Sequence, residues 1–370
     1  MVAQPDGADA GLRLGFACRW TERRELMWSG SALRLLDSLT RRCDVSDLPI
    51  NPSPVATRLM RASERLGLTG GTPWAMTRVE DWRTEQRLAR LSDRADLDAV
   101  VEIGDLGATR VPYYLYLDLS YAVANAATAS TGGTGVSPLP VAVRRRKEAR
   151  QRQLFAGAAG VLTMGRWFAD ELVGSGYPAA RVHVVGAGCN VEPVPRLRSP
   201  DLGAMRLLFV GRDFLRKGGD AVVGALAALR AAGARHRLTV VGPPAWPLAG
   251  PIPDGVDYRG TVPAAEVGSL LDAHDVLLMP SRFEAFGIAL LEALAAGMPV
   301  VARRAFAMPE LVPEDRGVLV DEADPGQVAD AIRQLAADPD VWLRCYADGG
   351  RTRTEWSWDA VAGRMLGAIR

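Results

Sequence analysis

Histidine is scarce in this chain: His183, His236 and His274 are the only three in 370 residues, and they form no metal-ligand spacing. Cysteine is almost as rare, and Cys18, Cys43, Cys189 and Cys345 stand far apart without paired spacing, which favours free thiols over a disulfide frame or a zinc site. Excess charge is missing too. With 44 basic against 43 acidic residues, a net charge of +1 gives no overall attraction for nucleic acid, so any anion site must be built locally. No apolar run approaches a membrane span, and the opening MVAQPDGADA lacks the basic and apolar regions of a signal peptide. These absences predict a cytoplasmic protein.

What is present is ordinary globular composition, 48% apolar and 24% charged, in a chain long enough for about two domains. Short apolar runs alternate with helical patterns along both halves, which predicts α/β architecture with two parallel sheets covered by helices. The stretch VEPVPRLRSPDLG at 191–203 carries three prolines and no periodicity, as a linker does. The expected division is a Rossmann-like domain over 1–195, a second over 204–350, and a terminal helix over 351–370 that returns to the first, with a cleft between the two domains. STGGTGVSPLP, residues 130–140, is expected to be a surface loop, able to serve as a lid.

The stretch PSRFEAFGIALLEALAAGMPVVA, residues 280–302, stands out because Glu292 falls on a helix of otherwise apolar and small residues. A buried carboxylate needs a partner in the fold or a ligand that supplies one. Arg212 and Lys217 follow the first strand of the second half, and Glu284 follows a later one, at the strand ends where such sheets bind ligands. Two cations beside a helix start, with amides at Phe286, Gly287 and Ile288, form a cradle suited to a diphosphate without a metal. Reading the helix from Glu284 puts Glu292 two turns further on, roughly 12 Å away. A carboxylate at each end of a diphosphate suits a nucleotide sugar. The competing readings are surface ion pairs: Arg212 with Asp213 or Asp220, and the glutamates with Arg303 or Arg304.

The first half gives fewer candidates. Gly30, between Ser29 and Ser31, opens a helix where a backbone approach to a ligand and a simple serine N-cap are both available readings. Asp118 ends the strand-like YYLYL and reads equally as a site residue or as a helix cap. Arg144, Arg145, Arg146 and Lys147 concentrate charge on one helix, where a solvated face is the default and a weak contact with the inner membrane face is the alternative.

FVGRDFLRKGGD and the 280–302 segment, with its two glutamates separated by seven residues, resemble the corresponding motifs of retaining glycosyltransferase family 4. The resemblance covers most of the second half and implies the GT-B fold. It also implies that Arg212 and Lys217 bind the diphosphate, Glu284 contacts the donor sugar, and Glu292 contacts the ribose. YRGTVPAAEV, including Val262, is similar to the segment beside the nucleobase, and WSGS around Gly30 is similar to the loop that approaches the diphosphate. Family members carry a histidine where YLDLS stands; here Asp118 is the nearest polar residue, with roles at the donor sugar, the acceptor hydroxyl or a helix cap all open. The implied activity is metal-independent transfer of a sugar from a nucleotide sugar to a small-molecule, glycan or lipid-linked acceptor, with retention. An epimerase or hydrolase on the same scaffold, and a catalytically silent nucleotide-sugar binder, are the alternatives.

Overall fold

The computed structural model describes residues 11–67, 72–130 and 139–370. It divides into two compact units, one formed by the described parts of Met1–Ala129 and Val136–Gly186 with Trp358–Arg370, the other centred on Ala187–Ser357. Eight residues of the loop expected over 130–140, residues 131–138, lie outside the described ones.

The first unit runs β1 (Arg13–Cys18), α1 (Ser31–Thr40), β2 (Asp44–Pro49), α2 (Pro54–Arg65), α3 (Arg78–Arg94), β3 (Ala99–Ile103), β4 (Tyr113–Leu117), α4 (Tyr121–Ser130), α5 (Val141–Gly157), β5 (Gly160–Thr163), α6 (Arg166–Gly174) and β6 (Val182–Val184). Its strands form one parallel sheet in the order β2-β1-β3-β4-β5-β6. Strands β3, β4 and β5 are buried at every position, which is why they read as apolar runs, interrupted only by Glu102 in β3 and Thr163 at the end of β5. Strand β2 gave no such signal. DVSDLP is the sheet edge and buries only Leu48 fully, so its register comes from pairing with β1 rather than from hydrophobic pattern.

The second unit runs β7 (Arg206–Val210), α7 (Gly219–Ala231), β8 (Arg237–Val241), β9 (Val256–Gly260), α8 (Ala264–Ala273), β10 (Val276–Met279), α9 (Ile288–Ala295), β11 (Val300–Arg303), α10 (Met308–Leu311), β12 (Gly317–Val320), α11 (Pro325–Ala337) and α12 (Val341–Glu355). Its parallel sheet has the order β12-β11-β10-β7-β8-β9. Counted within the unit, that is the doubly wound dinucleotide-fold order, whereas the first sheet has its reversal between β1 and β3, as in flavodoxin-like sheets. The second sheet reverses between β7 and β10.

Two expectations change. The terminal segment is not one helix over 351–370: α12 stops at Glu355 and α13 (Trp358–Ile369) begins after Trp356 and Ser357. Helix α13 packs in the first unit, burying Val361, Ala362, Met365 and Leu366, with Arg41 on Asp359 at 2.7 Å and Tyr114 Oη donating to the Ile369 carbonyl at 3.2 Å. Nor is 191–203 a free tether. The buried Arg198 guanidinium donates to the carbonyls of His274, Leu271 and Ala296 at 2.8, 2.7 and 2.6 Å, fastening the segment to the second unit. All four cysteines are buried free thiols, and among the described residues no helix is long and apolar enough to cross a membrane.

Candidate functional site

The reversal between β7 and β10 is the place where open α/β sheets bind ligands, and the segments leaving those two strands carry the expected site residues. After β7, residues 211–218 turn tightly back. Gly211 leaves room there for the Lys217 side chain, since a Cβ at that position would stand 2.3 Å from Lys217 Cδ and force it to shift. Lys217 therefore lies across the backbone of Gly211 and reaches the segment after β10, where its Nζ is 3.0 Å from Glu284 Oε2 and 3.5 Å from Met279 Sδ. Arg216 approaches the same carboxylate at 3.8 Å while donating to the Phe283 carbonyl at 2.7 Å. Sequence reasoning missed Arg216. Its adjacency to Lys217 was the available signal.

Arg212 is exposed, and no ion pair or hydrogen bond holds it among the described residues. The carboxylates that would have tied it down are engaged elsewhere: Asp213 pairs with Arg216 at 3.0 Å and Asp220 with Arg282 at 2.6 Å. The ion pairs offered to the glutamates fail likewise, since Arg303 binds Glu322 and Arg304 faces Asp321. Arg212, Arg216 and Lys217 thus follow β7 at one sheet edge, with Asp213 taken by Arg216 and Glu284 approached by both Lys217 and Arg216.

Helix α9 starts beside them. Gly287 occupies its N-cap position at φ 104°, a left-handed conformation that L side chains resist, and no side chain caps the helix. Ile288 is its first residue, so Glu284 lies ahead of the helix and a helical rise counted from Glu284 does not apply; Glu292 is the fifth helical residue, about 6 Å along the axis from Ile288. The side chain of Phe286 is buried against Trp356 with ring centroids 5.8 Å apart, leaving only backbone for a ligand.

Glu292 is 6% exposed, and the fold does supply partners for it. Its Oε1 accepts the N–H groups of Asn190 and Val191 at 2.8 and 3.2 Å. The start of the proline-rich segment is thereby pinned to α9. Val262 is half-buried between β9 and α8, in a loop held to the one after β8 by Thr261 Oγ1 donating to the Gly242 carbonyl and Tyr258 Oη donating to that of Pro243. An aromatic chain runs beside these loops, from Phe209 to Phe214 to Trp246 to Tyr258, at centroid separations of 5.4, 6.1 and 5.7 Å. Trp246 Nε1 is buried without a hydrogen-bond acceptor among the described residues. A tryptophan inside a proline-rich loop was its only sequence signal.

In the first unit, Trp28, Ser29 and Gly30 all have positive φ, at 48°, 58° and 99°. Two consecutive left-handed residues with side chains store strain of the kind found at binding loops. Gly30 is buried at the N-cap position of α1 with no side-chain cap, so the Ser29 cap does not form. Asp118 lies one residue past β4, half-buried. At the start of α4, Ser120 Oγ accepts the Val123 N–H at 3.2 Å, as an N-cap does. Burial, helped by the Asp118 charge, raises the neighbouring Tyr116 phenol well above its ordinary range. The basic run on α5 turns inward: Arg146 and Lys147 both grip Asp81, Lys147 is buried, and of the four expected surface cations only Arg145 is exposed.

Known proteins resemble this chain in part of its sequence and in its fold. The family described as glycosyl transferases group 1 matches residues 204–338, within the second unit. The D-inositol 3-phosphate glycosyltransferase of Paenarthrobacter aurescens is 33% identical over 260 residues, covering 61% of this chain and 60% of that protein. The GDP-mannose-dependent alpha-(1-6)-phosphatidylinositol dimannoside mannosyltransferase of Mycobacterium tuberculosis is 33% identical over 174 residues, 44% of this chain and 43% of that one. The chain spans about half the length of the curated relatives it matches. Among solved structures, sucrose-phosphate synthase from Thermosynechococcus elongatus superposes with a TM-score of 0.64 at 16% identity, over 96% of this chain and 98% of that one. WaaG, a glycosyltransferase involved in lipopolysaccharide biosynthesis, superposes at 0.58 and 15% identity, over 97% and 99%. At such identities the likeness shows the fold, and the fold is GT-B.

Proposed function

We propose that this chain is a retaining glycosyltransferase that moves a sugar from a nucleoside diphosphate sugar to an acceptor hydroxyl, without a metal ion. The observation that carries this reading is the grouping of Lys217 and Arg216 on Glu284, four residues ahead of the uncapped start of α9 and on the same post-β7 segment as Arg212, at the reversal point of a dinucleotide-fold sheet. Cations and helix amides receive a diphosphate, and their value rises as the leaving group gains charge when the glycosidic bond breaks. Arg212 and Lys217 bind the diphosphate with the amides of Phe286, Gly287 and Ile288. Glu284 holds Lys217 in place and takes hydroxyls of the donor sugar, while Glu292 serves the ribose and Val262 lies beside the base. Retention follows if the acceptor attacks on the face the leaving group vacates and a diphosphate oxygen takes its proton. The acceptor side of the reaction is assigned to the first unit; there Asp118 serves the donor sugar or the acceptor hydroxyl, while Gly30 keeps the donor-diphosphate role that the resemblance gives its loop. The reaction is assigned to the cytoplasm.

A thermal-shift screen of nucleoside diphosphates and their sugars tests the donor assignment, because a ligand of the native state raises its melting temperature. Lys217→Ala should lose the shift and slow transfer by roughly 10² or more, the scale of removing one charge-stabilising donor. Near-normal turnover in that variant would overturn the diphosphate assignment. Product formed from the donor without any acceptor would point to an epimerase or hydrolase, and tight binding without turnover over a broad acceptor panel to a silent binder.

A further inference from the structure

Helices α2 and α3 carry exposed residues to which the proposed reaction assigns no role. No residue of α2 is buried, although its sequence is strongly two-sided. Val55, Leu59, Ala62 and Leu66 recur at the spacing of one helix stripe, and that stripe points outward: Val55 and Leu59 are each 66% exposed and Leu66 is 74% exposed. Arg58, Arg61 and Arg65 flank it on the same helix. On α3, Val79 and Trp82 are 58% and 60% exposed.

Helix α3 adds a second stripe. Arg83, Arg87, Arg90 and Arg94 fall at successive helical turns and all four line one cavity of about 500 Å³, with Trp82 and, across it, Ser53 at the start of α2. None of the four has an ion pair among the described residues, and the acids of their own helix explain why. Glu80 pairs with Arg19, Asp81 with Arg146 and Lys147, Glu85 with Arg150, and Asp93 with Arg110. Every carboxylate of α3 is committed to a cation from elsewhere, so the four guanidinium groups stay uncompensated.

We propose that the α2–α3 face docks on a bilayer containing anionic lipid, with the apolar stripe of α2 and Trp82 entering the headgroup boundary and the α3 arginines binding lipid phosphates. An outward apolar stripe bordered by arginine on a helix that buries nothing is the form of an interfacial helix, and tryptophan favours that depth. The pairing of apolar and cationic stripes selects an amphiphilic anion over a protein partner, for which four uncompensated arginines would be costly to desolvate. Its residues belong to the first unit and the donor residues to the second, so the proposal is tested independently of the donor assignment.

The test is flotation of the full chain with vesicles of equal parts phosphatidylglycerol and phosphatidylcholine, against phosphatidylcholine alone. Binding is expected only to the anionic vesicles and should weaken with added salt. Replacing all four residues, Arg83→Gln, Arg87→Gln, Arg90→Gln and Arg94→Gln, should lower vesicle affinity by about 10²-fold or more, each cation being worth roughly fivefold on such a surface. Leu59→Asp, at an exposed position that the fold does not use, should lower it with an unchanged melting temperature and unchanged nucleotide binding. Failure of the native chain to float, or equal flotation of it and both variants, would overturn the proposal. So would a concentration-dependent dimer abolished by Leu59→Asp without vesicle binding, which would assign the face to a second copy.

Discussion

Replacing Glu102 by glutamine gives a stability effect whose size follows from the burial of one group. Glu102 lies at 0% exposure near the end of β3, where its Oε2 accepts the N–H groups of Leu106 and Gly107 at 2.8 and 3.1 Å while Oε1 is buried without a partner among the described residues. Burial raises its carboxyl from 4.5 to about 8, the two amides pulling weakly the other way. The folded form therefore keeps a proton that the unfolded chain loses above pH 4.5. Stability from this group is fully present below pH 4.5, falls by about 1.4 kcal/mol per pH unit above it, and is gone once pH passes about 8. The whole span corresponds to about 5 kcal/mol. Glutamine keeps an acceptor for both amides and does not titrate. Denaturant melts of both proteins at pH 5 and pH 8.5, following the first unit, should show the Glu102→Gln variant gaining several kcal/mol over the native chain between the two conditions. An equal difference at the two pH values would refute the claim that Glu102 is held protonated.

Other variants probe the site and its supports. Gly211→Ala places a Cβ against Lys217 Cδ, and should weaken nucleoside diphosphate binding by calorimetry while leaving the melting temperature within a few degrees. Arg198→Met leaves the carbonyls of His274, Leu271 and Ala296 without their donor in a buried site; a loss of about 3 kcal/mol is expected in thermal or urea unfolding of the second unit. Glu292→Leu removes the acceptor for two backbone amides and should cost about 2 kcal/mol or more, whereas Glu292→Gln should retain most of that stability. If both changes lower nucleotide affinity but only the leucine lowers stability, the carboxylate's two roles separate.

By itself the sequence determined the fold class, because strands buried on both faces must be written as short apolar runs and the helices between them as periodic ones. It also located Arg212, Lys217, Glu284 and Gly287, since residues that follow a parallel strand collect at one sheet edge whatever else the chain does. Strand β2 escaped it because an edge strand carries little hydrophobic pattern, and the break at Trp356 and Ser357 escaped because both flanking helices are themselves well patterned. Only the tertiary structure decided how charges pair. Asp213 and Asp220 are each close in sequence to Arg212, yet they bind Arg216 and Arg282, which leaves Arg212 without an ion pair among the described residues; the basic run on α5 reads as a surface but closes on Asp81 from α3. Pairing depends on which side chains meet across elements, and that distance is absent from local spacing. The same reason governs Glu292. Its neighbours in sequence could say only that it needed a partner, and the amides of Asn190 and Val191, about a hundred residues away, are brought to it by packing alone.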